Sequence, residues 1–370
     1  METLAEKCSE CGKCIAICPF LAKTGKTPAV IAKQGAEVME AFSCSLCGAC
    51  EAVCPLGLSP KNMFAGRRNA AVENGEIDID EYRYLFPDRP NNVMNMYRRF
   101  YGVHYDGIEN VGSAGTWFFP GCTLLTYSPN LTREVYRRLQ TDCNCQGMWT
   151  ECCGKPLVQL GIQHRADAIE KRLKEFVEAH QISRIITACP GCYYELKNVF
   201  ASLAVRIQTV YEVLNFAVHK KSQNIKCTIH DACPDRFELK FAGQVRRALE
   251  QNGFSIIEMQ HSKGEAICCG SGGQISHFNP DLTEELVQTR LKEARQADAD
   301  ILVGYCLSCV LKFDNADSPV TVTHALQLLL DQPKDFNGAK TRVAAMLNGA
   351  DGEKIWDKIM AEESCPKETK

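Results

Sequence analysis

Residues 8–19 read CSECGKCIAICP, and residues 44–55 read CSLCGACEAVCP. Both stretches have the spacing C-x2-C-x2-C-x3-C-P, which is the spacing of cubane [4Fe–4S] sites. Two complete copies predict a small α-helical module over residues 1–65 that holds two such clusters. A pair of zinc knuckles is the alternative, but zinc sites normally use two C-x-x-C pairs rather than three cysteines plus a fourth before proline.

In double runs of this kind the fourth cysteine binds the cluster of the other run. The ligands are therefore assigned crosswise. Cluster 1 is predicted to be held by Cys8, Cys11, Cys14 and Cys54, and cluster 2 by Cys44, Cys47, Cys50 and Cys18. The alanine-rich stretch from Thr27 to Ala41, which joins the two runs, is predicted to be a helix.

The composition and the N-terminal sequence exclude several possible roles for the many cysteines. The chain has 370 residues, 22 cysteines and a formal net charge of −3, which argues against a general nucleic-acid binder. The N-terminus has neither a basic start nor an apolar stretch with a cleavage site, so a cytoplasmic protein is predicted, in which disulfides are rare. No apolar run is long enough for a transmembrane span, although docking on a membrane partner stays open.

Beyond residue 113 the cysteine pattern repeats after about 115 residues. A single cysteine is followed by Cys-Cys-Gly and then by C-x-x-C. The first set is Cys122, Cys152, Cys153, Cys189 and Cys192, and the second set is Cys233, Cys268, Cys269, Cys306 and Cys309. A nearly constant offset indicates an internal duplication, which predicts two similar domains and two similar sites.

Within each repeat, short apolar runs alternate with helical patterns, which predicts an α/β fold with parallel sheets. The candidate strands are 116–119, 184–188, 227–230 and 301–305, and each leads directly into a cysteine of the repeated sets. A helix is predicted over Gln163 to Ala179, and helix starts are predicted at Ser128-Pro129 and Asn279-Pro280. Because α/β sheets bind ligands at the carboxyl ends of their strands, the cysteines are expected to gather around a cofactor.

Five thiols per set exceed the four that a tetrahedral zinc ion or a simple cubane needs. With these motifs the chain resembles the heterodisulfide reductase catalytic subunit family, in which a dicluster ferredoxin module is fused to tandem cysteine-rich CCG domains. The resemblance covers nearly the whole chain, except the linker and the tail after about Gln332. It implies two non-cubane [4Fe–4S] clusters beside the two cubane clusters, and it makes the ten cysteines of the two sets the expected catalytic residues.

The expected fold is thus a small α-helical ferredoxin-type domain followed by two pseudo-symmetric α/β CCG domains. The expected boundaries are 1–65 for the two-cluster domain, 66–113 for a linker, 114–224 and 225–331 for the two CCG domains, and 332–370 for a helical tail.

The resemblance implies an oxidoreductase subunit that acts on a sulfur group, with electrons passing through the cubane clusters to the CCG clusters, which reduce a disulfide. Oxygen sensitivity is expected because the iron–sulfur sites are so numerous. The same modules occur in electron-transfer subunits of glycolate, lactate and glycerol-3-phosphate dehydrogenases, so a conduit to a quinone or other carrier is the alternative. The expected partners are a flavoprotein, cytochrome or other electron donor and a disulfide or thiol substrate. The expected location is cytoplasmic, or peripheral to a membrane through a partner.

Several residues lie outside these motifs. Cys143, Cys145, Cys227 and Cys365 are expected to be buried or idle thiols. His230 could protonate a thiolate product or be a structural histidine near a strand end. Arg67-Arg68 and residues 94–101 could dock a redox partner or belong to a half-buried linker. Residues 270–273 read GSGG, which lacks the G-x-G-x-x-G spacing, so no flavin or nicotinamide site is predicted.

Overall fold

The computed structural model describes residues 2–108, 110–112, 114–216 and 225–362. Its N-terminal part is a small helical module, as predicted. The helices are α1 Glu2–Lys7, α2 Lys13–Ile17, α3 Pro19–Thr24, α4 Pro28–Gln34, α5 Val38–Ser43, α6 Ala49–Ala52 and α7 Pro60–Glu73.

The stretch between the two cysteine runs forms two helices, whereas a single helix was predicted over 27–41. Gly35 separates α4 from α5 with a φ of 82°, a conformation that glycine adopts without the steric cost of a Cβ. Thr27 caps α4 by accepting a hydrogen bond from the backbone N–H of Val30, and Glu37 and Glu40 form a capping box on α5. The break between α4 and α5 is therefore explained by Gly35 and by the caps of the two helices.

A connecting segment leads from the module to the duplicated region. It contains the end of α7, a 3₁₀ helix over Ile79–Leu85 and the helix α8 Val93–Phe100. Asn92 caps α8, because its side chain accepts a hydrogen bond from the backbone N–H of Asn95 at 2.9 Å. The segment is thus ordered by helices of its own.

Two parallel four-stranded sheets follow, one in each half of the duplicated region. The first sheet contains β1 Gly115–Phe119, β2 Cys145–Met148, β3 Ile182–Thr187 and β4 Arg206–Thr209, in the order β2-β1-β3-β4. The second sheet contains β5 Lys226–His230, β6 Ser255–Ile256, β7 Ile301–Gly304 and β8 Thr321–His324, in the order β6-β5-β7-β8. The equal strand order confirms the predicted pair of pseudo-symmetric α/β domains.

Helices cover both sheets. In the first half they are α9 Cys122–Tyr127, α10 Pro129–Cys143, α11 Lys155–Leu160, α12 Gln163–Ala179, α13 Pro190–Val199 and α14 Val210–Val213. In the second half they are α15 Lys240–Gln251, α16 Ile275–Phe278, α17 Pro280–Gln296, α18 Leu307–Asp314 and α19 Ala325–Leu329. The predicted helix over Gln163 to Ala179 and the predicted starts of α10 and α17 are confirmed.

A cluster of buried side chains joins the two halves, and the N-terminal module packs on the second half. Ile186 of β3 and Phe241 of α15 belong to the same cluster of buried side chains. Leu21 of the module packs in one cluster with Leu282 of α17. The module therefore lies against the half that is further away in sequence, and this places its cysteines near those of the second set.

Two further helices, α20 Ala339–Met346 and α21 Gly349–Met360, pack against the connecting segment. Met96 of α8 and Ile359 of α21 lie in one buried cluster. Arg89 strengthens this contact by donating hydrogen bonds to the carbonyl oxygens of Ile359 at 2.5 Å and Ala361 at 2.6 Å. Among the described residues, no helix combines the length and the apolar character required to cross a bilayer.

Candidate metal centres

The eight cysteines of the two N-terminal runs form two neighbouring thiol groups. One cavity is lined by Cys8, Cys11, Cys14 and Cys54, together with Cys50. The other cavity is lined by Cys18, Cys44, Cys47 and Cys50. The first cavity thus includes Cys54, as well as Cys50, from the other run, and the second cavity includes Cys18 from the other run. The crosswise ligand prediction requires Cys54 and Cys18 at these places. The assignment of individual ligands stays a prediction.

Glycine and backbone N–H groups shape these two loops. Gly12 and Gly48 stand between the second and third cysteines of their runs, with φ values of 76° and 74°, and short helices begin directly after them. The backbone N–H of Leu46 donates to Sγ of Cys44 at 3.4 Å. Such a hydrogen bond stabilises a thiolate, which is the form of cysteine that binds metal.

Burial opposes ionisation of these thiols. It raises the pKa of Cys18 to about 12 and the pKa of Cys44 to about 11. The negative charge of Cys47 raises the pKa of Cys18 further. Several buried thiols can therefore lose their protons together only if cations lie among them. Iron ions would supply that charge, so the donor set fits the predicted clusters.

Each five-cysteine set forms one connected thiol group, and the order of contacts is the same in both. In the first set, hydrogen bonds join Cys122 to Cys152, Cys152 to Cys153, Cys153 to Cys192 and Cys192 to Cys189. In the second set they join Cys233 to Cys268, Cys268 to Cys269, Cys269 to Cys309 and Cys309 to Cys306. The Sγ atoms of Cys269 and Cys309 are 3.0 Å apart.

The two cysteines of each Cys-Cys pair have pKa values that are shifted in opposite directions. Hydrogen bonds from Cys152 and Cys192 hold the pKa of Cys153 well below its ordinary value. Hydrogen bonds to Cys122 and Cys153 hold the pKa of Cys152 well above it. The second set shows the same opposition. Five thiolates in one buried group again require cations between them, which fits a cluster of several irons.

Gly121 borders the first set and leaves no room for a side chain. Its φ is 93°, and an added Cβ would lie 2.9 Å from Cβ of Cys189 and 3.3 Å from Sγ of Cys192. Gly154 and Gly270, which follow the two Cys-Cys pairs, have φ values of 85° and 76°. All three glycines hold conformations that other residues rarely adopt, so backbone passes close to both thiol groups.

The thiol groups follow one another through the protein. Cys47 donates a hydrogen bond to Cys268, which raises the pKa of Cys47 and places the second cavity of the module next to the second set. Cys306 donates a hydrogen bond to Cys189, which raises the pKa of Cys306 to about 12 and joins the two sets. The spatial order is therefore the module, the second set and then the first set, which is not the order along the chain.

Arg236 fixes the junction between the module and the second set. Its Nε donates to the carbonyl oxygen of Cys47 at 3.0 Å, and its Nη2 donates to that of Ala266 at 2.6 Å. Close backbone packing adds to this junction, because an added Cβ at Gly272 would lie 2.7 Å from the carbonyl oxygen of Ser45. Because Arg236 belongs to no recognisable sequence motif, this contact could not be predicted from the sequence.

A cavity of about 270 Å³ lies between the connecting segment and the first half. Cys122 and Cys152 line it, together with Arg98 of α8 and Arg172 of α12. Oγ1 of Thr126 is buried at the same place and has no hydrogen-bond partner among the described residues. A hydrogen bond from Cys152 lowers the pKa of Cys122, and the charge of Arg98 acts in the same direction. Sequence reasoning missed this cavity, because its residues come from distant segments.

Three of the remaining cysteines lie in the described part of the chain, apart from the thiol groups. Cys145 and Cys227 are buried in the core, and Cys143 is partly buried with its thiol directed at the carbonyl oxygen of Val213. Cys365 lies outside the described residues. The expectation of buried or idle thiols therefore holds for the first two of these cysteines, and it stays a prediction for Cys365.

Comparison with known proteins agrees with this division of the chain. A 4Fe-4S dicluster domain matches residues 4–58, and a cysteine-rich domain, CCG, matches residues 116–197 and again 227–314. One component of the dihydromethanophenazine:CoB--CoM heterodisulfide reductase of Methanosarcina mazei is 24% identical over 91% of this chain and 95% of its own length.

Two further relatives show how widely the modules occur. Lactate utilization protein A 1 of Bacillus mycoides is 22% identical over 58% of this chain and 96% of its own length. An uncharacterized iron–sulfur protein of Methanocaldococcus jannaschii is 26% identical over 52% of this chain, which spans only 39% of that relative. The two domain models account for all three thiol-bearing regions, and the chain therefore belongs to the proteins that join a 4Fe-4S dicluster domain to two cysteine-rich CCG domains, with similarity to a heterodisulfide reductase component over most of its length.

Proposed function

We propose that this protein is the iron–sulfur subunit of an oxidoreductase complex and that it reduces a disulfide. The observation that carries the proposal is the contact between Cys189 and Cys306, which joins two complete five-thiol sets. A disulfide needs two electrons, and two adjacent sites that each handle one electron meet that need. The overall step breaks one S–S bond, consumes two electrons from a reduced partner and two protons, and yields two thiols.

The four thiol groups would hold two cubane and two non-cubane [4Fe–4S] clusters, which supply one-electron transfer when bound. The contact between Cys47 and Cys268 supports an entry of electrons from the N-terminal module into the second set. The contact between Cys189 and Cys306 supports their onward passage to the first set. Arg236 holds the first of these junctions in place through its bond to the Cys47 carbonyl.

The cavity beside the first set supports this set as the place of substrate entry. Cys122 and Cys152 are reached from it, and Arg98 and Arg172 place positive charge at its wall. The hydroxyl of Thr126, which has no hydrogen-bond partner within the described part of the chain, adds a hydrogen-bonding group. Side chains of this kind orient a polar substrate while the thiols stay shielded from bulk water on their other sides.

The test is an anaerobic purification followed by iron and sulfide analysis and by EPR spectra with and without added thiols. Four four-iron clusters predict about 16 irons per chain, and a thiol-dependent signal is expected from the first set. The Cys153→Ala variant should lose disulfide reduction, while Cys143→Ser serves as a matched control outside the sets. Disulfide reduction that persists in Cys153→Ala contradicts the proposal.

A second candidate function is that of an electron conduit from a flavin-dependent dehydrogenase to a quinone or other carrier. The similarity to a lactate utilization protein over 96% of that protein's length favours it. A conduit would contain the same irons but would show no thiol-dependent signal, and it would pass electrons from a reduced flavoprotein to a quinone analogue. In both cases the partner is a redox subunit, and a cytoplasmic location stays a prediction.

A further inference from the structure

His230 ends strand β5, three residues before Cys233, and only 1% of it is exposed. Its Nδ1 lies 3.4 Å from Nε of Arg290, which is itself fully buried. A guanidinium group only donates hydrogen bonds, so Nδ1 of His230 must be the acceptor. The proton of the imidazole ring is therefore on Nε2, and Arg290 fixes this tautomer.

The Nε2 atom of His230 is buried and makes no hydrogen bond of regular geometry among the described residues, although the ring is close enough to Cys269 to lower the pKa of that thiol by hydrogen bonding. A ring nitrogen of His230 and the Sγ atoms of Cys269 and Cys309 all lie within 4.8 Å of one another. His230 also helps to lower the pKa of Cys269, after the larger effects of Cys268 and Cys309. Leaving a buried N–H without a partner is costly, and the N–H of His230 stands beside the thiols of the second set.

The first half has no such donor at the corresponding position. Phe119 ends β1 three residues before Cys122, as His230 ends β5 three residues before Cys233. Phe119 is fully buried and packs edge-on against Trp149, with ring centroids 5.6 Å apart. The duplication has therefore placed an apolar ring at one site and an N–H donor at the other.

The charged groups around His230 include both signs. Arg290 is paired with Glu293 at 2.5 Å, and Asp231, the next residue after His230, is paired with Arg246 at 2.7 Å. A lysine also stands near the thiols of each set, since Lys312 interacts with Cys269 and Lys155 with Cys153. Because both sets have such a lysine, the N–H group of His230 remains as a difference between them.

We propose that Nε2–H of His230 donates a hydrogen bond to the sulfur atoms of the second set and thereby gives that site a higher reduction potential than the first. A donor stabilises the reduced state, which carries more negative charge, and hydrogen bonds to sulfur are known determinants of cluster potential. Arg290 acts as a positioning residue through the tautomer of His230. The inference rests on the proposed function in one respect, because it requires clusters at both sets.

A role for His230 as a metal ligand fits the geometry less well. To bind iron through Nε2, the ring would have to lose its remaining proton while Nδ1 still accepts from Arg290. Neutral histidine has only one nitrogen free to act as an acceptor. The donor role needs no such change, and it also satisfies the buried Nε2–H.

The experiment compares the wild-type protein with His230→Phe, which copies the residue of the first half, and His230→Gln, which keeps an N–H donor. Potentials are measured by EPR-monitored redox titration, and iron is counted in every sample. We expect about 16 irons in all three proteins. In His230→Phe, the ratio of reduced to oxidised cluster at one CCG site should fall about tenfold at a fixed potential relative to the other sites. This corresponds to a fall in the reduction potential of that site of about 59 mV for a one-electron couple. The reduction potential of this site in His230→Gln should lie between its values in the wild-type protein and in His230→Phe.

Three results would overturn the inference. Unchanged potentials in His230→Phe with full iron content would refute the donor role while leaving the proposed function intact. Loss of about four irons in both variants would identify His230 as a ligand. A wild-type protein with only about 8 irons would overturn both proposals. If His230→Phe does not fold, proton ENDOR of the wild-type protein decides, since the donor predicts an exchangeable proton coupled to a CCG site and its absence refutes it.

Discussion

Arg68 is expected to be the residue whose loss most weakens the junction between the three parts of the protein. It lies on α7 and is fully buried. Its guanidinium group donates to the carbonyl oxygens of Ala41, Phe42, Cys44, Gln159 and Gly273, at distances of 2.5 to 3.1 Å. These carbonyls belong to the module, the first half and the second half. Burial lowers the pKa of Arg68 only to about 10, so it stays charged at neutral pH.

The change Arg68→Met keeps most of the side-chain length and removes every one of these donors. Five buried carbonyl oxygens then lose a partner, but the cost of burying the charge also disappears, so a net loss of about 3–5 kcal/mol is expected. An unfolding entropy of about 2.1 cal/mol/K per residue gives a fall in melting temperature of about 4–6 °C if the 370 residues unfold as one unit. The measurement is a thermal melt of the anaerobic protein, with iron analysis.

Arg67→Met is the matched control on the same helix. Arg67 pairs with the half-exposed Glu76 and donates one further hydrogen bond to the carbonyl oxygen of Ala36 at 2.8 Å. The ion pair contributes about 0–1 kcal/mol and the hydrogen bond about 0.5–1.5 kcal/mol. The control should therefore melt within about 1–3 °C of the wild-type protein. If Arg68→Met also melts within that range, the account of Arg68 as the central junction is wrong. The sequence pair Arg67-Arg68 thus has a structural role at its second member, rather than a role in docking.

Three further outcomes are expected. Gly121→Ala should cost about four irons per chain, because its Cβ would meet Cys189, whereas Gly107→Ala, with a φ of 78° and open space around it, should keep them. Burial lowers the pKa of His324, which is fully buried, to about 4, so the folded state binds fewer protons than the unfolded one below about pH 6.5. Stability should therefore fall between about pH 6.5 and pH 4, and His324→Gln should reduce this loss in melts at pH 7.5 and 5.5. Cys143→Ser should keep the full iron content, and a loss of iron would place Cys143 in a cluster.

The sequence predicts the centre of each sheet better than its edges. The four predicted strands are β1, β3, β5 and β7, which occupy the two central positions of both sheets. Central strands are buried on both faces and consist of continuous apolar residues. The missed strands are the edge strands, such as β4, which begins at the exposed Arg206, and β6, which has only two residues. Short, polar edge strands lack a recognisable pattern of apolar residues, so they are difficult to predict from the sequence.

The spacing of the cysteines in the sequence predicts which of them belong to each thiol group, but it does not predict how the groups lie relative to one another. Cysteines at strand ends must meet at the carboxyl edge of a sheet, so the members of each set are predictable. The contact of Cys47 with Cys268 depends on how the module docks. That docking rests on buried arginines and on backbone contacts between segments more than 200 residues apart, such as Arg68 with Gly273, and no periodicity in the sequence records such contacts.

The two halves have kept the same fold and the same thiols while their surroundings have diverged. The second set adjoins the module and has the N–H group of His230 beside it, whereas the first set has Phe119 at that position and adjoins the cavity with Arg98. An electron acceptor next to the module benefits from a higher potential, because it then draws electrons inward. The first set, at the far end of the series, would release them where a substrate can enter. A duplication with two equivalent sites would need none of these differences, so the differences themselves argue that the two sets have separate tasks.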